Sequence, residues 1–145
     1  MDPLTPLRTE RFLPHPPKAI FQAFAHPEQL ALWWGPAGFR NTFERFEFHP
    51  GGRWEFVMHG PDGQDYPNRA RFEVLEADRI VIRHVNAPHF TLTVQLQPAD
   101  GGTQLEWLQA FDDPQVAAAV RAICEPANEQ NLDRLAALLS AGAAA

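Results

Sequence analysis

The sequence predicts an α+β fold: a curved antiparallel sheet of six or seven strands, two short helices after the first strand, and one long C-terminal helix laid on the sheet. Three observations carry this expectation. From Phe43 to Phe111 apolar residues recur at every second position, in runs separated by Pro, Gly and Asp clusters, which is the period of half-buried antiparallel strands. From Asp113 onward the period becomes helical. Between Pro14 and Pro36, prolines bracket two short stretches with helical apolar spacing.

In chain order, residues 4 to 13 suggest a first strand, which the prolines of "PHPP" (Pro14 to Pro17) interrupt. Ala19, Ile20, Phe21, Ala23 and Phe24 then follow a helical period, and a second short helix after Pro27 brings Leu30 and Trp33 or Trp34 to its buried side before Gly35 and Pro36 end it. "FERFEFH" and "RWEFVMH" form a hairpin around Pro50 to Gly52, with Phe46, Phe48, Trp54, Phe56 and Met58 inward and Gly52 placed in the left-handed region. Ala70, Phe72 and Val74 alternate next, then Ile80, Ile82 and His84, then Phe90, Leu92, Val94 and Leu96, and, after "ADGG", Leu105, Trp107, Gln109 and Phe111. Asp112 or Asp113 caps the last helix, whose stripe is Val116, Val120, Ile123, Ala127, Leu135 and Leu138. A kink or short break is expected at Pro126, an end near Ala141, and a frayed tail beyond it.

Composition bounds the function. At 145 residues one domain is the default, and a chain of that size buries roughly 68–70% of its unfolded surface. Twelve Lys and Arg against 18 Asp and Glu give a formal charge of -6, which argues against a nucleic-acid or anionic-membrane partner. Cys124 is the one cysteine, so no internal disulfide can form; a buried structural thiol and a reducing, cytoplasmic compartment fit. No apolar run approaches the 18 or so residues that a membrane helix needs. No metal-ligand spacing and no phosphate-binding glycine loop stands out, and neither a cofactor nor a catalytic set is assigned.

A single helix touches a strongly curved sheet along a line, leaving space at its ends. The inward aromatics therefore either fill the interior or line a cavity. "HPEQLALWWGPAGF", "PGGRWEFVMHGPDGQDYPN", "RIVIRH" and "EQNLDRLAALLS", in this order, resemble the START-like (SRPBCC) superfamily, in the branch named after activators of the heat-shock chaperone ATPase. The resemblance spans nearly the whole chain. It implies the helix-grip fold, a curved sheet around a long C-terminal helix with a cavity between them. By the same resemblance "LWWGPAGF" crosses from the second helix to the second strand beside the cavity, one indole beneath the helix pair and the other toward the cavity. Asn128 departs from the family segment, which usually carries Trp at that position; an amide there enlarges the cavity or makes it more polar.

The ligand-binding expectation follows. Trp33, Trp34, Phe39, Phe56, Met58, Phe72, Phe90, Leu92 and Trp107 supply apolar surface, while Tyr66, His84, Gln109 and Asn128 supply orientation. His84 on an apolar face also has the plain reading of a satisfied core residue. His59, Asp62, Asp65 and Tyr66 cluster like acid-base groups, but the glycines and Pro61 around them favour a turn in which Asp bonds its own backbone. Binding of a small apolar or amphipathic molecule is the leading function. The alternatives are an enzyme of polyketide cyclase or aromatase type in the same cavity, and a co-chaperone-like interaction module; a homodimer is compatible with each. The outward residues Arg53, Glu55, Glu73, Arg83, Thr91, Thr93 and Gln95 are mostly polar, which ranks the interaction module below binding.

Overall fold

The computed structural model describes residues 6–144. Strand β1 (Leu7–Leu13) leads into helices α1 (Pro17–Ala25) and α2 (Pro27–Trp33). Strands β2 (Arg40–Phe46), β3 (Arg53–His59), β4 (Asp65–Glu76), β5 (Arg79–His84), β6 (Phe90–Ala99) and β7 (Gly102–Phe111) follow, and helix α3 (Pro114–Ala144) completes the order. The strands form one seven-stranded antiparallel sheet, β1-β7-β6-β5-β4-β3-β2. Strands β2 to β7 are a meander, and α1 with α2 carries the chain from one sheet edge to the other. The α+β helix-grip architecture is the observed one. Positions 4 and 5 of the expected first strand lie outside the described residues.

The core sits where both helical layers meet the sheet. Ile20, Phe24, Leu30 and Trp33 from the short helices and Leu132 and Leu135 from α3 are fully buried in one cluster with Trp54, Phe72, Ile80, Val94 and Leu105. Asp113 caps α3, its Oδ1 accepting from the Gln115 amide at 2.9 Å, while Asp112 receives both guanidinium arms of Arg83 at 2.6 Å.

Several local expectations need correction. β4 shifts register between Phe72 and Val74, so Leu75 packs against the core in place of Val74. A similar shift in β2 between Phe43 and Arg45 lets both Phe43 and Phe46 reach the core. Helix α3 passes through Pro126 unbroken and runs on to Ala144, beyond the end expected near Ala141. The proline costs the Ala122 carbonyl its helical partner, but Ala122, Glu125 and Pro126 are all exposed, so solvent can take that carbonyl. Ile123 is 71% exposed and does not belong to the stripe. The inward positions run Ala117, Val120, Cys124, Ala127 and Asn128, and Ile123 lies a full residue's rotation away. In the hairpin, Gly51 rather than Gly52 has positive φ, +83°. Gly52 is needed for space: a Cβ there would lie 1.9 Å from the Glu47 carbonyl oxygen.

Candidate functional site

The crossing from α2 to β2 is held from above by α3. Gly35 and Gly38 take φ of +94° and +86°, which lets Leu32 to Phe39 fold tightly enough to turn several carbonyls toward one point. Arg134 occupies that point. Its Nη1 donates to the carbonyls of Trp34, Gly35 and Pro36 at 2.9–3.0 Å, and its Nη2 to those of Leu32 and Phe39 at 2.6 and 3.0 Å. Asn131 Nδ2 donates to the Trp33 carbonyl at 2.8 Å, and Gln130 Oε1 accepts from the Ala37 amide at 3.1 Å. Burial lowers the Arg134 pKa from its ordinary value, and the five carbonyl dipoles compensate a charge that has no carboxylate in this set.

From this clamp the two indoles turn to different neighbours while staying edge-on to each other at 5.6 Å. Trp33 turns under α1, fully buried, its Nε1 donating to the Ala23 carbonyl at 3.0 Å and its ring edge-on to Phe24 at 4.9 Å. Trp34 turns toward the sheet and meets Trp54 and Trp107 at centroid distances of 4.9 and 5.7 Å. Beyond Trp34 lies a cavity of about 700 Å³ between the sheet and the N-terminal half of α3, a volume typical of small-molecule sites. Rings form most of its wall: Trp34, Phe39, Trp54, Phe56, Trp107, Phe90 and Phe111, with Met58, Ile82 and Leu92 between them. On the helix side are Val120, Cys124 and Ala127, all small or medium-sized. The exposed lining residues Asp65, Tyr66, Pro67, Ala87 and Pro88 mark where it opens.

The polar groups fall into two sets. At the sheet end, His84 stacks on Phe90 at 4.6 Å and is held at both nitrogens. Nδ1 is 2.7 Å from the Pro88 carbonyl, and Nε2 is 2.7 Å from Asn68 Oδ1, while Asn68 Nδ2 donates to the Tyr66 carbonyl. Burial is the largest influence on His84 and pushes its pKa below the ordinary value, against the raising effect of the Pro88 carbonyl. Opposite, Asn128 Nδ2 on α3 donates to Gln109 Oε1 on β7 at 3.0 Å, bridging helix and sheet. Cys124 faces the cavity as a half-buried thiol whose pKa burial raises.

Eleven of the residues expected to touch a ligand line this cavity: Trp34, Phe39, Phe56, Met58, Tyr66, His84, Phe90, Leu92, Trp107, Gln109 and Asn128. Trp33 and Phe72 do not; both are fully buried in the core, Phe72 parallel to Trp54 at 5.6 Å. The "MHGPDG" segment is a turn, with Asp62 Oδ1 accepting from the Gln64 amide at 3.0 Å and Tyr66 donating to its other oxygen at 3.2 Å. His59 joins Asp65 and Thr42, each at 2.7 Å, across three strands. Since Met58 and Phe43 face inward, that row lies on the outer face of the sheet, and only Asp65, at its end, touches the rim of the cavity. Sequence reasoning missed Arg134 and Asn131. Polar residues on an exposed-looking helix carry no local sign that carbonyls of a distant loop converge on them. Among the described residues no three His, Cys, Asp or Glu side chains come together as a metal site would need, and no helix is long and apolar enough to cross a membrane.

Residues 14–140 match the family model described as Activator of Hsp90 ATPase homolog 1-like protein. The chain belongs to this family. Among curated proteins no sequence matches. A crystal structure of a protein from Nitrosomonas europaea is similar over 100% of both chains, at 23% identity and a TM-score of 0.89. One from Rhodobacter sphaeroides covers 95% of this chain and 93% of its own, at 27% identity and a TM-score of 0.83. The AHSA1 protein from Silicibacter pomeroyi covers 94% and 99%, at 20% identity and a TM-score of 0.75. These likenesses establish the fold of this Hsp90-activator-like chain. Its cavity is a matter of its own residues.

Proposed function

We propose that this member of the family binds one small, largely apolar molecule in the cavity between the sheet and the N-terminal half of α3. The observation that carries the reading is a 700 Å³ space walled by aromatic rings and open beside Tyr66. Burying a ring-sized ligand there removes apolar surface from water on both sides, at about 25 cal/mol per Å². A few amides at the far wall set orientation. Binding rather than turnover is favoured because the imidazole of the wall, His84, is committed to Asn68 and Pro88 at both nitrogens, and the Tyr66 phenol to Asp62. A chaperone-docking role has less support: the outer sheet face carries charged rows such as Arg8 with Glu106 and Arg83 with Asp112. A cytoplasmic setting accompanies this reading, because the single cysteine is free.

The neutral dye N-phenyl-1-naphthylamine tests it. Fluorescence should rise with one-to-one stoichiometry, and saturating dye should slow alkylation of Cys124 by N-ethylmaleimide, since that thiol lines the same space. Folded protein that takes up no dye would refute the proposal.

A further inference from the structure

We propose that the cavity selects a neutral ligand whose head group carries both a hydrogen-bond donor and an acceptor, a primary carboxamide being the simplest, and discriminates against the matching carboxylate. This rests on the cavity being the binding site. The polar side chains of the wall can be counted by donors and acceptors. The Nε1 groups of Trp54 and Trp107 have no partner but are sealed beneath the wall surface, and the Tyr66 hydroxyl is spent on Asp62. Asn68 is spent on His84 and the Tyr66 carbonyl, and Asn86 on the Pro67 carbonyl and the Arg69 amide.

Asn128 and Gln109 come out differently. Both are 9% exposed, both line the cavity, and one 3.0 Å hydrogen bond joins them. Two primary amides joined by one N–H to O bond leave over one NH2 and one carbonyl. That remainder is the same whichever amide donates, so it does not depend on how the two were oriented. Asn131, three residues along α3 and 5% exposed, also lines the cavity, and it gives its NH2 to the Trp33 carbonyl. Its own carbonyl adds a second acceptor. Among the described residues no other side chain takes these groups. These groups belong to side chains that line the cavity, so a ligand that supplies both complements gains more than its apolar area.

Charge then decides between head groups. Among the described residues no Lys or Arg lines the cavity, and the one carboxylate residue that does, Asp65, stands at the exposed rim, where His59 holds its Oδ1. A carboxylate ligand would pass an anion by Asp65 into a space without a cation, and would present only acceptors to two carbonyls. A carboxamide offers its NH2 to the carbonyls and its oxygen to the spare NH2.

The test uses displacement of N-phenyl-1-naphthylamine from the full chain at pH 8 by naphthalene, 2-naphthamide and 2-naphthoate. The amide should displace the dye at a concentration about tenfold or more below either of the others, as one or two net hydrogen bonds imply. In the double variant Gln109→Leu/Asn128→Leu, the amide should lose its advantage over naphthalene, whatever the affinity of the variant for the dye. Naphthoate matching naphthamide, or naphthalene matching it in the parent, overturns the proposal. No dye binding at all overturns the cavity reading itself and this selectivity with it. If the double variant does not fold, the ranking on the parent decides.

Discussion

In the C-terminal half of α3, Leu132 and Leu135 are wholly buried and Leu139 is 8% exposed, whereas the inward turns of the N-terminal half carry Ala117, Val120, Cys124 and Ala127. One helix thus meets one sheet in two ways. Large leucines close the gap at the end that also holds the Arg134 clamp, and small side chains leave it open at the end that faces His84 and Gln109. The difference teaches that stability and the candidate function are separated along a single element. Side chains that border a cavity have fewer protein packing partners than those in a closed core and hold the fold less. The sealed end therefore carries most of the grip, and the open end is free to differ in sequence without unfolding the protein.

The clamp offers the largest test. Arg134→Leu removes one guanidinium and leaves five carbonyls of the crossing without their donor, so a loss of at least about 3 kcal/mol in urea unfolding is expected. Arg134→Lys should recover only a minor part, because a single ammonium cannot reach across the fork that five carbonyls define. A leucine variant within about 1 kcal/mol of the parent would mean that the sealed end does not depend on this clamp.

A second pair of variants probes the size difference directly. Leu135→Ala should cost about 2–5 kcal/mol, the usual range for a fully buried leucine. Ala127→Leu adds bulk where space exists, so it should melt at or above the parent while abolishing dye uptake. Destabilisation by Ala127→Leu comparable to that of Leu135→Ala would show the two ends to be equally packed, and the contrast would fail.

How far this division could be read from sequence depends on the scale of the interaction. The strand meander and the position of α3 were legible because alternation and helical period are local signals, and most of the cavity wall followed from strand parity. Parity failed where a bulge intervened, at Val74 and Leu75, since one extra residue leaves no mark in apolar spacing. Helical phase failed at Ile123, because hydrophobicity alone favoured Ile over the neighbouring Cys124 that faces inward. Asn128 was legible as an unusual residue, and its partner Gln109 lay on the inward parity. Arg134 was not legible, because its meaning lies in carbonyls about a hundred residues away in the chain that converge only after folding. Phe72 shares the strand parity of wall residues and Trp33 adjoins the wall residue Trp34, yet both lie fully buried in the core cluster. Which end of a curved sheet the helix closes is a three-dimensional fact.

The smallest expected effect concerns the open end and the sign of its pH dependence. His84 faces two acceptors, the Pro88 carbonyl and Asn68 Oδ1, and only a doubly protonated ring could donate to both. Burial opposes that charge and is the stronger influence, with His89 and Arg83 adding like-charge repulsion, so the folded-state pKa lies below the ordinary 6.5. Below 6.5 the unfolded chain then binds more protons at this site than the folded one. The contribution of neutral His84 is present in full above that pH and is lost as pH falls toward the folded value. The loss should stay under about 1 kcal/mol, since the ring lines an opening that admits solvent. Urea midpoints of the parent and His84→Asn, compared from pH 7.5 to 5, isolate it from the carboxylates common to both. The parent should lose stability faster than the variant as pH falls. The opposite slope would mean that the two acceptors outweigh burial and that the open end holds an imidazolium, a charge the apolar wall would then have to accommodate.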